Sequence, residues 1–249
     1  MGTNSVIVPG NLVGTWRNCG GYYECPKDAD GRRLGPLVGY AGKYDAPDGT
    51  KKQYVGEVYW NFADVEEDPE ALGYFASMLV AKISKVFARD SEKPTGVLGA
   101  PMGGIGLAFI LGSILGLRVI YPEKKVTEAA TSERREKSEL VFGRHEVRPG
   151  DRVLTVEDVC NNFSTTEQTI QLVRASGGEV CGIACALNRS LQIAVGEQAL
   201  PVVAAIHRPT EQWKQEDPVV ADDVALGNVV WKVKPEWRRL MEVMRQHAS

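Results

Sequence analysis

Several features that would assign the chain to a specialised class are missing from its 249 residues. Positive charge is not in excess, because the net charge is −3 and the pI is near 5.8, so we expect no nucleic-acid partner. No helix-turn-helix or basic arm is evident, which counts against a DNA-binding regulator. The longest apolar run, residues 104–117, is too short to span a bilayer, so we expect no membrane partner either.

The sequence also lacks a cysteine framework and a targeting signal. The chain has five cysteines, an odd number, and they form no paired CxxC motif. We therefore expect them to be reduced thiols. The N-terminal residues MGTNSVIVPGN lack the basic start and long apolar core of a signal peptide. With 43% hydrophobic and 24% charged residues, the composition is typical of a globular protein, which we expect to be cytoplasmic.

From residue 68 onward, helical patterns alternate with short apolar segments. Helical spacing of large apolar residues predicts a helix that begins at Pro69 with Asp68 as its N-cap. Further helices are predicted at residues 105–116 and 165–178, each ending on glycine. Apolar segments predict strands at residues 96–100, 118–121, 151–159, 179–190 and 200–207. This alternation predicts an α/β fold, a Rossmann-like parallel sheet flanked by helices.

Two acids stand where the third predicted strand stops. Glu157 and Asp158 could accept hydrogen bonds from sugar hydroxyls or hold waters on Mg²⁺. Ser164, Thr165 and Thr166 follow at the start of the predicted helix, where amide groups and the helix dipole favour phosphate. Together these residues predict a site for a phosphorylated sugar.

The hydroxyl side chains also have a purely structural interpretation. Ser164 with Glu167, and Thr165 with Gln168, match the capping-box pattern that satisfies the N-terminus of a helix without a ligand. The acid pair that precedes them favours the functional interpretation.

A glycine-rich segment, GAPMGGIGLA at residues 99–108, follows the first predicted strand. Its glycines permit a tight loop whose backbone can approach an anion closely. The spacing does not match the GxGxxG dinucleotide fingerprint, and the segment lacks the GK[ST] of a P-loop. Because ligands of parallel sheets bind beyond the carboxyl ends of strands, we expect this loop to lie near residues 121–125 and 157–166.

The charged segment at residues 124–140 has two interpretations. It is either a solvated surface hairpin or helix, which its composition favours, or a mobile flap over the site. As a flap it would bring basic residues to the ligand, from among Lys124, Lys125, Arg134, Arg135 and Lys137.

The segment RPGDRVLTVEDVCNNFSTT, residues 148–166, resembles the type I phosphoribosyltransferases, whose signature is an apolar strand, two acids, two apolar residues and a phosphate loop. Within that family the chain looks most like the orotate phosphoribosyltransferases. Residues 99–108 are similar to their pyrophosphate loop, residues 121–125 to the start of their catalytic flap, and residues 186–190 to a stretch whose arginine contacts orotate. The resemblance extends over residues 96–190 and is weaker before them.

The resemblance implies a pentosyltransferase that uses 5-phosphoribosyl 1-diphosphate, Mg²⁺ and a nucleobase, most of all orotate, as in pyrimidine nucleotide synthesis. Glu157 and Asp158 would hold the ribose hydroxyls and the metal, and Lys124 or Lys125 would neutralise the leaving group. Arg189 would bind the carboxylate of the base. Pyrophosphate would be bound by Met102, Gly103 and Gly104, and the 5-phosphate by Asn161, Asn162, Phe163, Ser164 and Thr165.

The resemblance also implies an assembly and a domain organisation. The flap of this family often acts across a dimer interface, so a homodimer is expected. Residues 17–26 are similar to the substrate-covering hood of the orotate enzymes, and the glycine- and tyrosine-rich sequence around them predicts short strands and loops. We therefore predict a small N-terminal hood at residues 1–67 and an α/β core with a C-terminal extension at residues 68–249.

The chain departs from the family pattern in its phosphate loop, which reads NNFST at residues 161–165, in its hood, and at residue 188. The family usually has glycine where Phe163 stands, and the orotate enzymes commonly have an acid where Asn188 stands. Phenylalanine restricts φ and adds a ring where backbone normally closes around phosphate. Transfer to another base, or a non-catalytic regulator that binds phosphoribosyl diphosphate or a nucleotide, therefore remain alternatives. The charged flap favours an enzyme.

Overall fold

A computed structural model describes residues 5–128 and 137–247 of the chain. The helices in this part are α1 Leu12–Asn18, α2 Ala63–Glu66, α3 Pro69–Val86, α4 Gly104–Leu115, α5 Ser164–Ala175, α6 Ala221–Ala225 and α7 Trp237–Gln246. The strands are β1 Tyr22–Glu24, β2 Leu37–Asp45, β3 Lys51–Gly56, β4 Val58–Trp60, β5 Gly96–Gly99, β6 Arg118–Ile120, β7 Glu123–Glu128, β8 Lys137–Val141, β9 Arg152–Cys160, β10 Glu179–Asn188, β11 Ala194–Val195, β12 Leu200–His207 and β13 Val229–Val230.

The chain forms two compact units. The first comprises Met1–Cys19 and Phe62–Pro209, and the second comprises Gly20–Asn61 and Thr210–Ser249. Residues 20–61 of the predicted hood thus belong to the second unit together with the C-terminal part of the chain. That this region covers a substrate remains a prediction.

The first unit contains a six-stranded sheet in the order β11-β12-β10-β9-β5-β6. The five strands from β12 to β6 pair in parallel, and β11 pairs antiparallel with β12 at the edge. The five strands predicted between residues 96 and 207 are present as β5, β6, β9, β10 and β12, so the α/β prediction is confirmed. The carboxyl ends of β5, β9 and β10 lie side by side, which brings together the loops that follow them.

Helices cover both faces of this sheet. Neighbouring residues of a strand point to opposite faces. Leu98 packs in one apolar cluster with Ile170 of α5, whereas a Cβ at Gly99 would lie 3.1 Å from the Cβ of Ala108 in α4. The helices α5 and α4 therefore cover opposite faces, and α3 packs against α4.

The ends of the helices follow local signals. Asp68 caps α3 by accepting hydrogen bonds from the backbone N–H groups of Glu70 at 2.9 Å and Ala71 at 3.0 Å, as predicted. The helix α4 ends at Gly116, whose φ of 66° is left-handed and favours glycine. Both predicted boundaries are confirmed.

The second unit joins chain segments that are far apart in sequence. β1 pairs antiparallel with β4, and a second sheet has the order β13-β2-β3, so a strand from the C-terminal segment completes it. Arg33 forms ion pairs with Glu57 and with Asp223, each at 2.8 Å. These contacts connect residues 20–61 to residues 210–249 within one unit.

Two global expectations can be compared with the structure. All five cysteines are free thiols, as predicted. Among the residues described, no helix has the length and apolar character required to cross a membrane.

Candidate active site

The two acids of the predicted sugar site lie near the carboxyl end of the central strand β9. On one side β10 continues beside them, with Cys185 opposite Glu157 in the register. On the other side β5 stops at Gly99, opposite Val156, one residue before the acids. The edge of β9 at Glu157 and Asp158 is therefore not paired with β5, which leaves space there for the loop that follows β5.

The glycine-rich loop occupies this space and contacts the acid strand directly. The N–H of Ala100 donates to the carbonyl of Val156 at 2.8 Å. A Cβ at Gly104 would collide with that same carbonyl oxygen, and a Cβ at Gly103 would collide with the carboxylate of Asp158. Glycine is required here because two backbone segments touch. The expected proximity of the glycine loop to the acids is confirmed.

The remaining residue predicted to bind pyrophosphate is exposed in the same loop. Met102 follows Pro101 through a cis peptide bond, and its side chain is 81% exposed. Its backbone is adjacent to Gly103, and therefore to Asp158. That Met102, Gly103 and Gly104 bind pyrophosphate stays a prediction.

Glu157 is buried, whereas Asp158 is partly exposed. Oε1 of Glu157 accepts a hydrogen bond of 3.0 Å from the hydroxyl of Thr166 in α5. The pKa of Glu157 is raised from an ordinary 4.5 to about 8, chiefly by burial and also by the neighbouring charge of Asp158, while the Thr166 bond opposes the rise. The two acids therefore have different surroundings, because Asp158 is partly exposed and Glu157 is buried.

Phe163 adopts a conformation that the sequence did not lead us to expect. Its φ of 55° and ψ of 15° are left-handed, the backbone state for which glycine is ordinarily used. Its ring is only 4% exposed and belongs to the apolar cluster that contains Leu98, Ile170 and Val173. The interpretation that this ring lies where the backbone would close around phosphate is therefore wrong, because the ring points into the core.

The start of α5 also differs from the predicted capping boxes. Phe163 itself is the N-cap and its own side chain makes no capping bond, so neither Ser164 nor Thr165 is in the N-cap position. The Oδ1 of Asn162 accepts from the N–H of Ser164 at 3.3 Å and from its hydroxyl at 3.1 Å. The capping-box interpretation is wrong because the helix begins one residue earlier than the Ser164 box requires and two residues earlier than the Thr165 box requires.

This geometry leaves backbone donors at the helix start. The N–H of Glu167 donates to the carbonyl of Phe163 at 2.8 Å, which is the first bond of the α5 ladder. The N–H groups of Thr165 and Thr166 precede that ladder and point out of the N-terminus, as in any α-helix. The turn at residues 161–165 thus presents the kind of amide donors that bind phosphate.

The turn after β10 lies next to the turn after β9. The N–H of Arg189 donates to the carbonyl of Cys160 at 2.9 Å, and the Arg189 side chain is buried at 6% exposure. Asn188, 1% exposed, organises its own turn: its Nδ2 donates to the Gln192 carbonyl at 2.7 Å, and its Oδ1 accepts from the Ser190 hydroxyl at 2.8 Å. Asn188 is therefore a turn-forming residue, and its amide group is occupied.

The charged segment begins and ends as a hairpin. β7 and β8 pair antiparallel, with Lys124 opposite Leu140 and Lys125 opposite Glu139. Both lysines are exposed. Arg134 and Arg135 lie outside the described residues, as does the side chain of Lys137. The structure brings together the acids and the glycine loop. The role of the lysines stays a prediction.

One site residue had no independent sequence signal. Thr166 appeared only as one hydroxyl in a row of polar residues, yet it contacts Glu157 nine positions earlier. A helix periodicity would identify Thr166 as inward-facing, but only the packing of α5 on β9 identifies its partner.

Comparison with known proteins gives relatives that are named orotate phosphoribosyltransferase. No family model matches the sequence. The orotate phosphoribosyltransferase of Heliobacterium modesticaldum is 32% identical over 145 residues, covering 57% of this chain and 69% of that protein. The orotate phosphoribosyltransferase of Sphingopyxis alaskensis is 30% identical over 172 residues, covering 68% of this chain and 81% of that protein.

Other similarities are shorter or more distant. The chain spans 54% of the orotate phosphoribosyltransferase of Caldanaerobacter subterraneus, at 34% identity. Among solved structures, that of orotate phosphoribosyltransferase from Aeropyrum pernix is similar with a TM-score of 0.49 and 16% identity, covering 79% of this chain and 94% of that one.

Proposed function

The chain is a phosphoribosyltransferase that belongs to the orotate phosphoribosyltransferase family, and we propose that it transfers ribose 5-phosphate from 5-phosphoribosyl 1-diphosphate to orotate. A ring nitrogen of the base would attack the anomeric carbon, the bond from that carbon to the diphosphate oxygen would break, and pyrophosphate would leave. The observation that carries the proposal is the contact of Gly103 with the Asp158 carboxylate, which joins the glycine loop to the acid pair.

Each part of the substrate has a counterpart among these residues. We assign the ribose hydroxyls to Glu157 and Asp158, and the base carboxylate to Arg189. The pyrophosphate group is assigned to the loop of Met102, Gly103 and Gly104, and the 5-phosphate to Asn161, Asn162, Phe163, Ser164 and Thr165. For Phe163 the contribution is its left-handed backbone, since the ring is buried.

The transition state would be oxocarbenium-like, so the protein contributes orientation and stabilisation of departing negative charge. The flap lysines, Lys124 and Lys125, are proposed as the cationic groups for the leaving pyrophosphate. Both lysines are exposed on the β7–β8 hairpin, and we propose that this hairpin moves over the ligand, as catalytic loops commonly do. A homodimer, in which one subunit's hairpin serves the other's site, is part of the proposal.

The acid pair fits Mg²⁺ that is shared with the substrate. No group of three His, Cys, Asp or Glu side chains in the described part of the chain could hold a metal by itself. Mg²⁺ is commonly bound by one or two carboxylates together with substrate phosphates. Asp158 and Glu157 can supply them, and Glu157 would lose its proton when the ion binds. When bound, the ion would neutralise charge on the diphosphate.

Two observations bear on the competing functions. The departure at Asn188 argues little for a different base, because its side chain is occupied within its own turn. The departure at Phe163 argues little for a lost phosphate site, because the turn keeps the backbone conformation that glycine would give it. Orotate transfer is therefore favoured over both alternatives.

The test is turnover with defined bases. The protein is incubated with phosphoribosyl diphosphate, Mg²⁺ and either orotate, uracil or a purine base, and pyrophosphate release is followed. We expect release with orotate, and its loss in Asp158→Asn combined with Glu157→Gln. Glu179→Gln is the control, because this exposed acid lies at the opposite end of β10. Release with a purine base alone would refute the orotate assignment, and turnover that survives in the double variant would refute the site.

A further inference from the structure

Thr166 makes a contact that its neighbours on α5 do not make. Its side chain is 2% exposed, and its hydroxyl donates to Oε1 of Glu157 at 3.0 Å. Thr169, one turn later and 0% exposed, donates instead to the carbonyl of Thr165 in its own helix at 3.0 Å. Two buried threonines of one helix thus have different partners, and only one of them reaches the acid strand.

Glu157 needs such a partner more than an exposed acid would. A glutamate side chain has three rotatable bonds, and a buried carboxylate is costly unless it accepts hydrogen bonds. The residue opposite it on β10 is Cys185, whose thiol is at best a weak donor. The Thr166 hydroxyl is a stronger donor, and it comes from a side chain with a single rotatable heavy-atom bond that is itself held in the core.

The contact also connects two halves of the proposed site. Thr166 is the third residue of α5, directly after the turn assigned to the 5-phosphate, whereas Glu157 belongs to the part assigned to the ribose. We infer that Thr166 is a positioning residue, whose hydroxyl fixes the Glu157 carboxylate relative to the phosphate turn so that phosphoribosyl diphosphate is bound in one orientation. This inference rests on the proposed function.

The first experiment compares conservative variants. Thr166→Val keeps the shape and removes the hydroxyl, Thr166→Ser keeps the hydroxyl, and Thr169→Val is the matched control on the same helix. We expect Thr166→Val to lower kcat/KM for phosphoribosyl diphosphate about tenfold, with the KM of the base changed less than about twofold. Thr166→Ser should stay within about threefold of the wild type, and Thr169→Val within about twofold.

Several results of this comparison would overturn the inference. Equal losses in Thr166→Val and Thr169→Val would indicate a general packing effect. A loss in Thr166→Ser as large as in Thr166→Val would show that the hydroxyl is irrelevant. A proportionate rise in the KM of the base would also contradict a role confined to the diphosphate substrate.

The second experiment measures binding without catalysis. The affinity for phosphoribosyl diphosphate with Mg²⁺ is determined by calorimetry for the wild type, Thr166→Val, Glu157→Ala and the double variant. We expect Thr166→Val to weaken binding about tenfold alone and less than about twofold when Glu157 is already absent. An undiminished effect in the double variant would show that Thr166 does not act through Glu157.

Binding also separates the two proposals. A wild type that binds phosphoribosyl diphosphate but transfers it to no base would refute the proposed function, and the four affinities would still decide the role of Thr166. A wild type that does not bind phosphoribosyl diphosphate would overturn both.

Discussion

Replacing Phe163 gives the sharpest test of the loop that most distinguishes this chain from its family. The ring is 4% exposed within the core cluster, and the backbone has a φ of 55°. Phe163→Ala removes the ring but keeps the strained φ, whereas Phe163→Gly removes the ring and relieves the strain. The two variants therefore separate packing from backbone conformation.

The expected magnitudes follow from the loss of the buried ring and from the strain of the left-handed backbone. Truncation of a buried phenylalanine costs about 3 to 5 kcal/mol. The left-handed conformation costs a non-glycine residue about 1 kcal/mol. We expect Phe163→Ala to lower the free energy of unfolding by about 4 kcal/mol and Phe163→Gly by about 3 kcal/mol, so that the smaller residue gives the more stable protein.

The assay must report on the unit that contains Phe163. Of the five tryptophans, only Trp16 belongs to that unit, so total fluorescence would mainly report the other one. Hydrogen exchange of α5 and β9 peptides, followed through urea unfolding, measures the relevant region. Equal stability of Phe163→Ala and Phe163→Gly would refute the claim that the backbone at residue 163 is strained. A fall in the free energy of unfolding below about 1 kcal/mol in both variants would refute the claim that the ring is buried in the core.

The same variants test the phosphate turn. Because the ring points into the core, removing it should not improve access to the turn, and we expect Phe163→Gly to bind phosphoribosyl diphosphate no more tightly than the wild type. Binding about tenfold tighter would show that the ring obstructs the ligand.

Three further predictions concern the acid strand, the glycine loop and a helix cap. Between pH 4.5 and 8, folded Glu157 keeps its proton while the unfolded chain loses it, so the free energy of unfolding should fall as pH rises through this window, by up to about 5 kcal/mol. Melting curves at pH 5 and pH 8 without metal should show this fall in the wild type, and a fall of equal size in Glu157→Gln would exclude Glu157 as its source. Gly104→Ala should destabilise the protein by about 1 to 3 kcal/mol, because its Cβ would collide with the Val156 carbonyl. Gly73→Ala, which meets nothing within 4 Å, should stabilise α3 by about 1 kcal/mol, and similar urea midpoints for the two alanine variants would contradict the packing described. Asp68→Ala should cost about 1 kcal/mol, measured by urea unfolding, and Asp68→Asn should retain most of that stability; equal losses in both would count against a capping role.

Much of the fold could be predicted because its signals are local. Asp68 and Gly116 mark helix ends through their own backbone preferences, and apolar runs alternating with helical patterns specify a parallel sheet covered on both faces. The hood was harder to predict, because the second unit combines residues 20–61 with residues 210–249. No local feature of the sequence near either strand indicates that β13 pairs with β2.

The sequence by itself determined which residues stand at the carboxyl ends of the strands, because strand ends and glycine turns are local features of the chain. Only the tertiary structure decided how those residues meet. It directs the Phe163 ring into the core, sets Gly103 against Asp158 and joins Thr166 to Glu157. Such contacts depend on strand register and helix packing, which set distances between residues that have no relation along the sequence.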